Sequence, residues 1–234
     1  MSVFALLDPA VGLAHEVVSA LAHVLPTALA IVLFTVCVRL ALHPPARAAA
    51  RGEQARTRLA PRIAELSRKH GDRPERLRAA LAELYREEKA SPFAGCLPVL
   101  VQIPFFSVMY RLFTTPNDLL GHTLFGTPLG LHAGQAHGAG QWAVFAVLYA
   151  GLTAVACVGF RRARRAQAAA RAGRAAPRPG LAFLPYLSFG TVLFAALVPL
   201  AAGIHLLTTA AWSAAERARL HRDGAAEPAT AVPA

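Results

Sequence analysis

Side chains able to do chemistry are few in this sequence, and their spacing suits little of it. His122, His132 and His137 share one Gly-rich stretch. Imidazoles bind metals, but this spacing matches no common ligand pattern and no Cys or Glu assists, so no metal is expected. Cys37, Cys96 and Cys157 each sit among apolar residues, where an odd count without a framework reads as small buried hydrophobes. No GxxxxGK[ST], GxSxG or HExxH motif occurs, and the apolar runs hold no Asp or Glu to partner their one imidazole, His205. His205 reads as a neutral packed side chain. The expectation is a protein that is not an enzyme and uses no cofactor.

One charge is out of place. Arg39 lies in FTVCVRLALHPPARAAA, Phe34 to Ala50, where an arginine at mid-helix in lipid costs about 2.5–3.5 kcal/mol. Two readings stay open. His43 and Pro44 follow by about one turn, so the side chain could snorkel to head groups. Alternatively, Arg39 faces a water-filled recess and attracts acidic or polar segments. Candidate lining residues are Gln102, Ser107 and Tyr110 in the second apolar run, Ser188 and Thr191 in the fourth, and Thr208 and Thr209 in the fifth. The second run, SPFAGCLPVLVQIPFFSVMYRL, starts with Ser91 as a helix cap and Pro92 in the first turn. Pro98 and Pro104 follow inside it, and each removes a backbone hydrogen bond. A kinked, partly hydrated wall suits a recess better than a tight bundle does.

The elements that must position these residues are apolar spans. Of 234 residues 55% are hydrophobic and only 16% charged, with mean hydropathy +0.42, against about 25% charged in a soluble chain. The net charge of +11 does not indicate sequence-specific nucleic-acid binding, because the basic residues fall in blocks between apolar runs. Residues 24–42, 92–113, 142–160, 181–198 and 199–215 are expected to span a membrane, the last two as a hairpin turned at Pro199. Residues 1–23 are expected outside, with a weak amphipathic helix over Val11 to Leu21. No basic stretch precedes the first span, so the mature chain is expected to begin near Met1.

Orientation follows from the arginines. Residues 43–91 hold 12 Lys/Arg, 161–180 hold 7 and the tail after Trp212 holds 3, while 1–38 and 112–160 hold none. Five spans with every basic block on one side place the N-terminus outside and the C-terminus in the cytoplasm. Residues 114–141 then form an external loop and 161–180 a basic cytoplasmic loop, with 216–234 an expected disordered tail. Within residues 43–91, Leu59, Ile63 and Leu66 line one helix face and Leu77, Leu81 and Leu84 another. Gly71 can stop the first helix, Asp72 can cap the next and Pro74 fits its first turn. The expected product is an antiparallel helical hairpin with basic outer faces. It is either self-contained or a platform for ribosomes, anionic lipids or incoming chains.

The arginine-bearing run TVCVRLALHP, the CLPVLVQIP segment within Ser91 to Pro104, and FLPYLSFGTVLFAALVPLAAGIHLLTTAAW together resemble the YidC-type membrane protein insertases. The resemblance covers nearly all of Val24 to Leu220. It implies an all-α polytopic membrane protein, with five transmembrane helices around a hydrophilic groove open to cytoplasm and lipid but closed outside. It places the groove charge on Arg39 and implies nascent membrane proteins as substrates, with the ribosome and the Sec translocon as possible partners, in a bacterial cytoplasmic membrane. The match implies a short form without the large external domain of longer members. Ser91 and Ala94 replace the usual Asn and Gly, and HLLTTAAW stands where relatives often carry Tyr and two Asn, which alters groove polarity. Two rival readings are an assembly chaperone without autonomous insertion and a small-solute transporter.

Overall fold

The computed structural model describes residues 8–88, 97–172 and 183–226. Helices dominate: α1 Asp8–Ala22, α2 Thr27–Ala41, α3 His43–His70, α4 Pro74–Glu87, α5 Leu97–Thr114, α6 Ala139–Ala172, α7 Gly190–Ala195 and α8 Leu200–Ala226. Pro26 opens α2, and its carbonyl accepts from Leu29 and Ala30 N–H at 2.8 and 3.0 Å, which sets the first turn. Between α2 and α3 stands only Leu42, so the arginine-bearing helix runs almost directly into the basic hairpin.

α2 packs against α1 and α8, and α6 packs against α8 and the segment before α7. Small residues allow the α6–α8 approach. A Cβ on Gly203 would lie 2.6 Å from Leu148 Cδ2, and one on Gly151 would lie 3.1 Å from Leu207. Helices that cannot rely on the hydrophobic effect in lipid gain from such close packing. Phe113, Phe145, Ile31, Met109, Leu112 and Leu200 form the buried centre. Large apolar side chains also cover the surface: Leu193 and Leu197 are 74% and 71% exposed, and Val147 is 73% exposed. A water-facing exterior rarely carries so many, and lipid is their natural solvent.

Among the described residues one helix is long and apolar enough to cross a bilayer, Ala139–Arg165, within α6. The apolar helices Thr27–Ala41 and Pro185–Ala195 are shorter. The fourth apolar run is not one regular helix. Leu184–Phe189 winds as a 3-10 helix before the six residues of α7, with Pro185 in its first turn. Phe160 of α6 packs on Tyr186 and Phe189, with ring centroids 5.2 and 5.8 Å apart, and holds the tighter winding against α6. The turn at Ala196–Pro199 then leads into α8.

Two helices extend further than hydropathy suggests. α6 continues through the basic residues to Ala172, and α8 continues to Ala226 through residues assigned to a disordered tail. Alanine and arginine are strong helix formers, so propensity carries both helices past the apolar segment. The α3–α4 hairpin is present, with Leu59 and Leu84 buried and Arg62 Nη1 donating to Glu88 at 2.6 Å. Its turn differs in detail. Gly71 has φ −54, a right-handed value, and Arg73, not Asp72, stands at the N-cap of α4, with Pro74 in the first turn. Ser91 and Pro92 lie outside the described residues.

Residues 114–138 are more than a polar connection. A 3-10 turn at Asp118–Gly121 leads into a two-strand hairpin, β1 Thr123–Leu124 and β2 Thr127–Pro128, in antiparallel register Thr123↔Pro128. Phe125 and Gly126 take positive φ at the tip, as a tight hairpin turn matched to strand twist requires. Leu119, Thr127, Leu129 and Ala136 are buried beneath it. The carbonyls of Leu131 and Leu129 accept from the N–H groups of Leu200 and Ala201 at 2.9 Å each. This loop therefore caps the start of α8, whose first N–H groups have no partner within the helix.

Candidate functional site

The polar side chains of α2 and α8 meet along one seam. On α8, His205, Thr209, Trp212 and Glu216 recur at four- and three-residue spacing, which puts them on one face. On the facing side Thr35 and Arg39 stand one turn apart on α2, and His43 starts α3. Thr35 Oγ1 lies 3.0 Å from His205 Nδ1, and His43 Nδ1 is hydrogen-bonded to Glu216 Oε1. Both pairs ascend in residue number, so α2 and α8 run parallel, with Arg39 between the two pairs along α2.

Chemistry at the two ends of the seam differs. Thr35 is fully buried, and its hydroxyl donates to the Ile31 carbonyl at 2.7 Å. With its one proton so used, Oγ1 must accept from His205, which assigns the imidazole proton to Nδ1. His205 is 4% exposed and packs on the Phe113 ring, centroids 5.9 Å apart. At the other end the groups are ionic. The Glu216 side chain is 13% exposed, paired with the more open His43. Arg162 of α6 donates to the Ala214 carbonyl at 2.8 Å, so a third basic side chain reaches the same stretch of α8.

Arg39 is the unresolved member. Its Nε is buried with no hydrogen-bond partner among the described residues, as are Thr209 Oγ1 and Trp212 Nε1 on the facing helix. Among the described residues, the opposite charge of Glu216 and the like charge of Arg217 act on it. Leaving a buried donor unpaired costs about 1–3 kcal/mol, more when the group is charged. Three buried polar atoms are thus left unmatched along one seam among the described residues.

The other predicted lining residues are dispersed. Ser188 lies against α6, where a Cβ on Gly159 would come 3.2 Å from its Oγ. Thr208 donates to the Ile204 carbonyl of its own helix at 2.9 Å. Tyr110 is 45% exposed and stacks on Phe106, ring centroids 6.0 Å apart. Ser107 and Thr191 are half-buried, and the Gln102 side chain lies outside the described residues. Of the predicted set, Arg39 and Thr209 share the seam.

A family model described as the 60Kd inner membrane protein matches residues 20–225, most of the chain. The chain belongs to that family. Similar proteins named membrane protein insertase YidC include one from Thiobacillus denitrificans, 35% identical over 97 residues. Another from Pelagibacter ubique is 43% identical over 88 residues, and one from Caulobacter vibrioides 36% over 98. The alignments cover 42%, 37% and 42% of this chain but 18%, 16% and 16% of the relatives. The chain thus matches less than a fifth of the length of these relatives. The resemblance carried by Arg39 and the CLPVLVQIP segment leads to this same insertase family.

For this family member the residues missed from sequence are Thr35, His43, Trp212 and Glu216. Signals for them existed. Thr35, Arg39 and His43 repeat every four residues, and His205, Thr209, Trp212 and Glu216 continue the same face past the end of the apolar run. Ending the fifth span at Ala215 cut that stripe one residue before its carboxylate.

Proposed function

We propose that this chain is a membrane protein insertase of the bacterial cytoplasmic membrane that works without covalent catalysis. Five spans, residues 24–42, 92–113, 142–160, 181–198 and 199–215, surround a groove open to the cytoplasm. The N-terminus is outside and the C-terminus inside, as the placement of the basic blocks requires. The observation that carries the reading is Arg39, a half-buried charge whose buried Nε has no partner among the described residues, on the seam with unpaired Thr209 Oγ1 and Trp212 Nε1, in a family member. Ser107 and Tyr110 of α5 and Thr191 of α7 are further proposed wall residues, with Gln102, Ser188 and Thr208 beyond them.

In this mechanism the short polar tail of a nascent membrane protein enters the groove, and its carboxylates and carbonyls pair with Arg39. The apolar segment meanwhile leaves sideways into lipid. Polar groups in hydrocarbon cost several kcal/mol each, so a path lined with hydrogen-bonding groups lowers the barrier while both end states stay the same. Short apolar helices such as Thr27–Ala41 favour a locally thin bilayer, which shortens that path. The α3–α4 hairpin, basic and next to the groove mouth, is the proposed contact for anionic head groups and for the ribosome or a Sec translocon.

Reconstitution of the purified chain alone tests the reading. Proteoliposomes should insert a short single-span substrate with an acidic external tail, and Arg39→Ala should reduce that insertion at least tenfold. Substrate bound but not inserted would indicate an assembly chaperone. Solute flux without insertion would indicate a transporter. Equal insertion by wild type and Arg39→Ala for every substrate would remove the groove mechanism.

A further inference from the structure

The carboxylate closest in role to a substrate tail is already part of the chain. Glu216 sits on the α8 face that carries Thr209 and Trp212, its side chain is only 13% exposed, and its Oε1 is held by His43 Nδ1. Among the described residues it is the charge that attracts Arg39, opposed by exposed Arg217. Yet it makes no direct bond to Arg39 Nε, which stays unpartnered. His43 therefore keeps the carboxylate beside the guanidinium without letting it occupy the guanidinium's donors. Such a group reduces the field that an incoming carboxylate feels and leaves the hydrogen-bonding sites open.

We propose that Glu216 is a tethered carboxylate that competes electrostatically with substrate tails for Arg39, and so sets how acidic a tail the groove accepts. This inference rests on the groove reading above. A tail with several carboxylates meets Glu216 as a like charge at the same place where Arg39 attracts it, whereas a neutral polar tail meets only the open donors. His43 is a positioning residue in this scheme, because it fixes where the carboxylate stands. Specificity is then a difference of two interactions, one attractive and one repulsive, built into adjacent helices.

Peptide binding separates this inference from the function itself. The full chain in detergent micelles is titrated with two labelled tail peptides, identical except that three Asp in one are Asn in the other, and fluorescence anisotropy gives each affinity. Glu216→Gln should bind the Asp peptide about tenfold more tightly, the scale of one partly screened charge interaction, and so raise the Asp-to-Asn preference. Glu216→Ala should give the same gain if the amide variant melts. Glu216→Asp should stay close to wild type, and the Asn peptide should bind wild type and Glu216→Gln equally. Equal affinities for wild type and Glu216→Gln overturn the inference and leave the groove standing. Binding of neither peptide by any form overturns both.

Discussion

The two ends of the α2–α8 pair are built on opposite principles. At the start of α8 the loop carbonyls of Leu129 and Leu131 complete the helix's hydrogen bonds, Gly203 lets Leu148 approach, and Thr35 and His205 satisfy each other. At the far end Arg39, Thr209 and Trp212 each keep a buried polar atom unpaired, and charge is concentrated around Glu216. The capped end is largely paired, with Asn117 Oδ1 and Thr127 Oγ1 of its loop buried without a partner among the described residues, whereas the charged end leaves one polar atom open on each of three neighbouring side chains. A fold can carry such an end only if the rest of the molecule offsets the cost. Substitutions at the capped end should therefore move stability, and substitutions at the charged end should move binding.

The largest stability effect is expected at Gly203. Even a Cβ there comes 2.6 Å from the Leu148 methyl, and Leu148 is itself buried, with little room to yield. Gly203→Val should destabilise by about 2 kcal/mol, within the usual range for overpacking, read as a fall in melting temperature in detergent. At the charged end the sign should reverse. Arg39→Leu replaces a half-buried charge, whose buried Nε is unpaired, by an apolar side chain, so stability should rise by about 1 kcal/mol while acidic-peptide binding is lost. If Arg39→Leu destabilises as much as Gly203→Val, the contrast between the ends is wrong.

The same contrast explains what could be read from the sequence. Hydropathy marks α2 and the apolar part of α6 because apolar length is the signal, and the 3–4 spacing of Leu59, Ile63 and Leu66 marks the α3–α4 hairpin. Arg39 stood out because its cost is local. Residues 114–138 did not, because their order comes from long-range contacts: Leu129 and Leu131 are held by the first turn of α8, and no period in the loop records that. The 3-10 winding at Leu184–Phe189 likewise depends on Phe160 packing from α6. Glu216 was lost because the span was ended where its apolar residues end, although the helix continues. Ser188 and Thr208 stand out in the sequence by polarity alone; their neighbours, Gly159 of α6 and the Ile204 carbonyl of the same helix, are supplied only by the fold.

A smaller effect is expected where α1 is tied to α5. Asp8 accepts from Arg111 Nη1 at 2.6 Å with both side chains substantially exposed. The pair accounts for a basic residue at the end of α5 that lies away from the basic blocks. Exposed ion pairs contribute about 0.2–1 kcal/mol and are screened by salt. Asp8→Asn should lower the melting temperature by a degree or two in low salt and by less in high salt. A loss comparable to that of Gly203→Val would mean that α1 docks through this pair and not through buried Ala14 and Val18.

The smallest effect is a titration. His15 Nε2 is hydrogen-bonded to Asp118 Oδ1 at 2.7 Å, and this bond holds the Asp118 carboxyl below its ordinary value. A carboxyl whose pKa is depressed in the folded state adds stability above its unfolded pKa and loses it as pH falls through the folded one. Wild type should therefore melt slightly above Asp118→Asn at every pH over the ordinary carboxylate range. The gap should close below that range, once Asp118 is protonated in both folded and unfolded chains. Other carboxyls titrate equally in the two proteins, so the difference between the melting curves isolates this one. A gap that stays constant to the lowest pH would mean that His15 contributes through packing alone. It would leave the capped end, like the rest of its core, insensitive to charge.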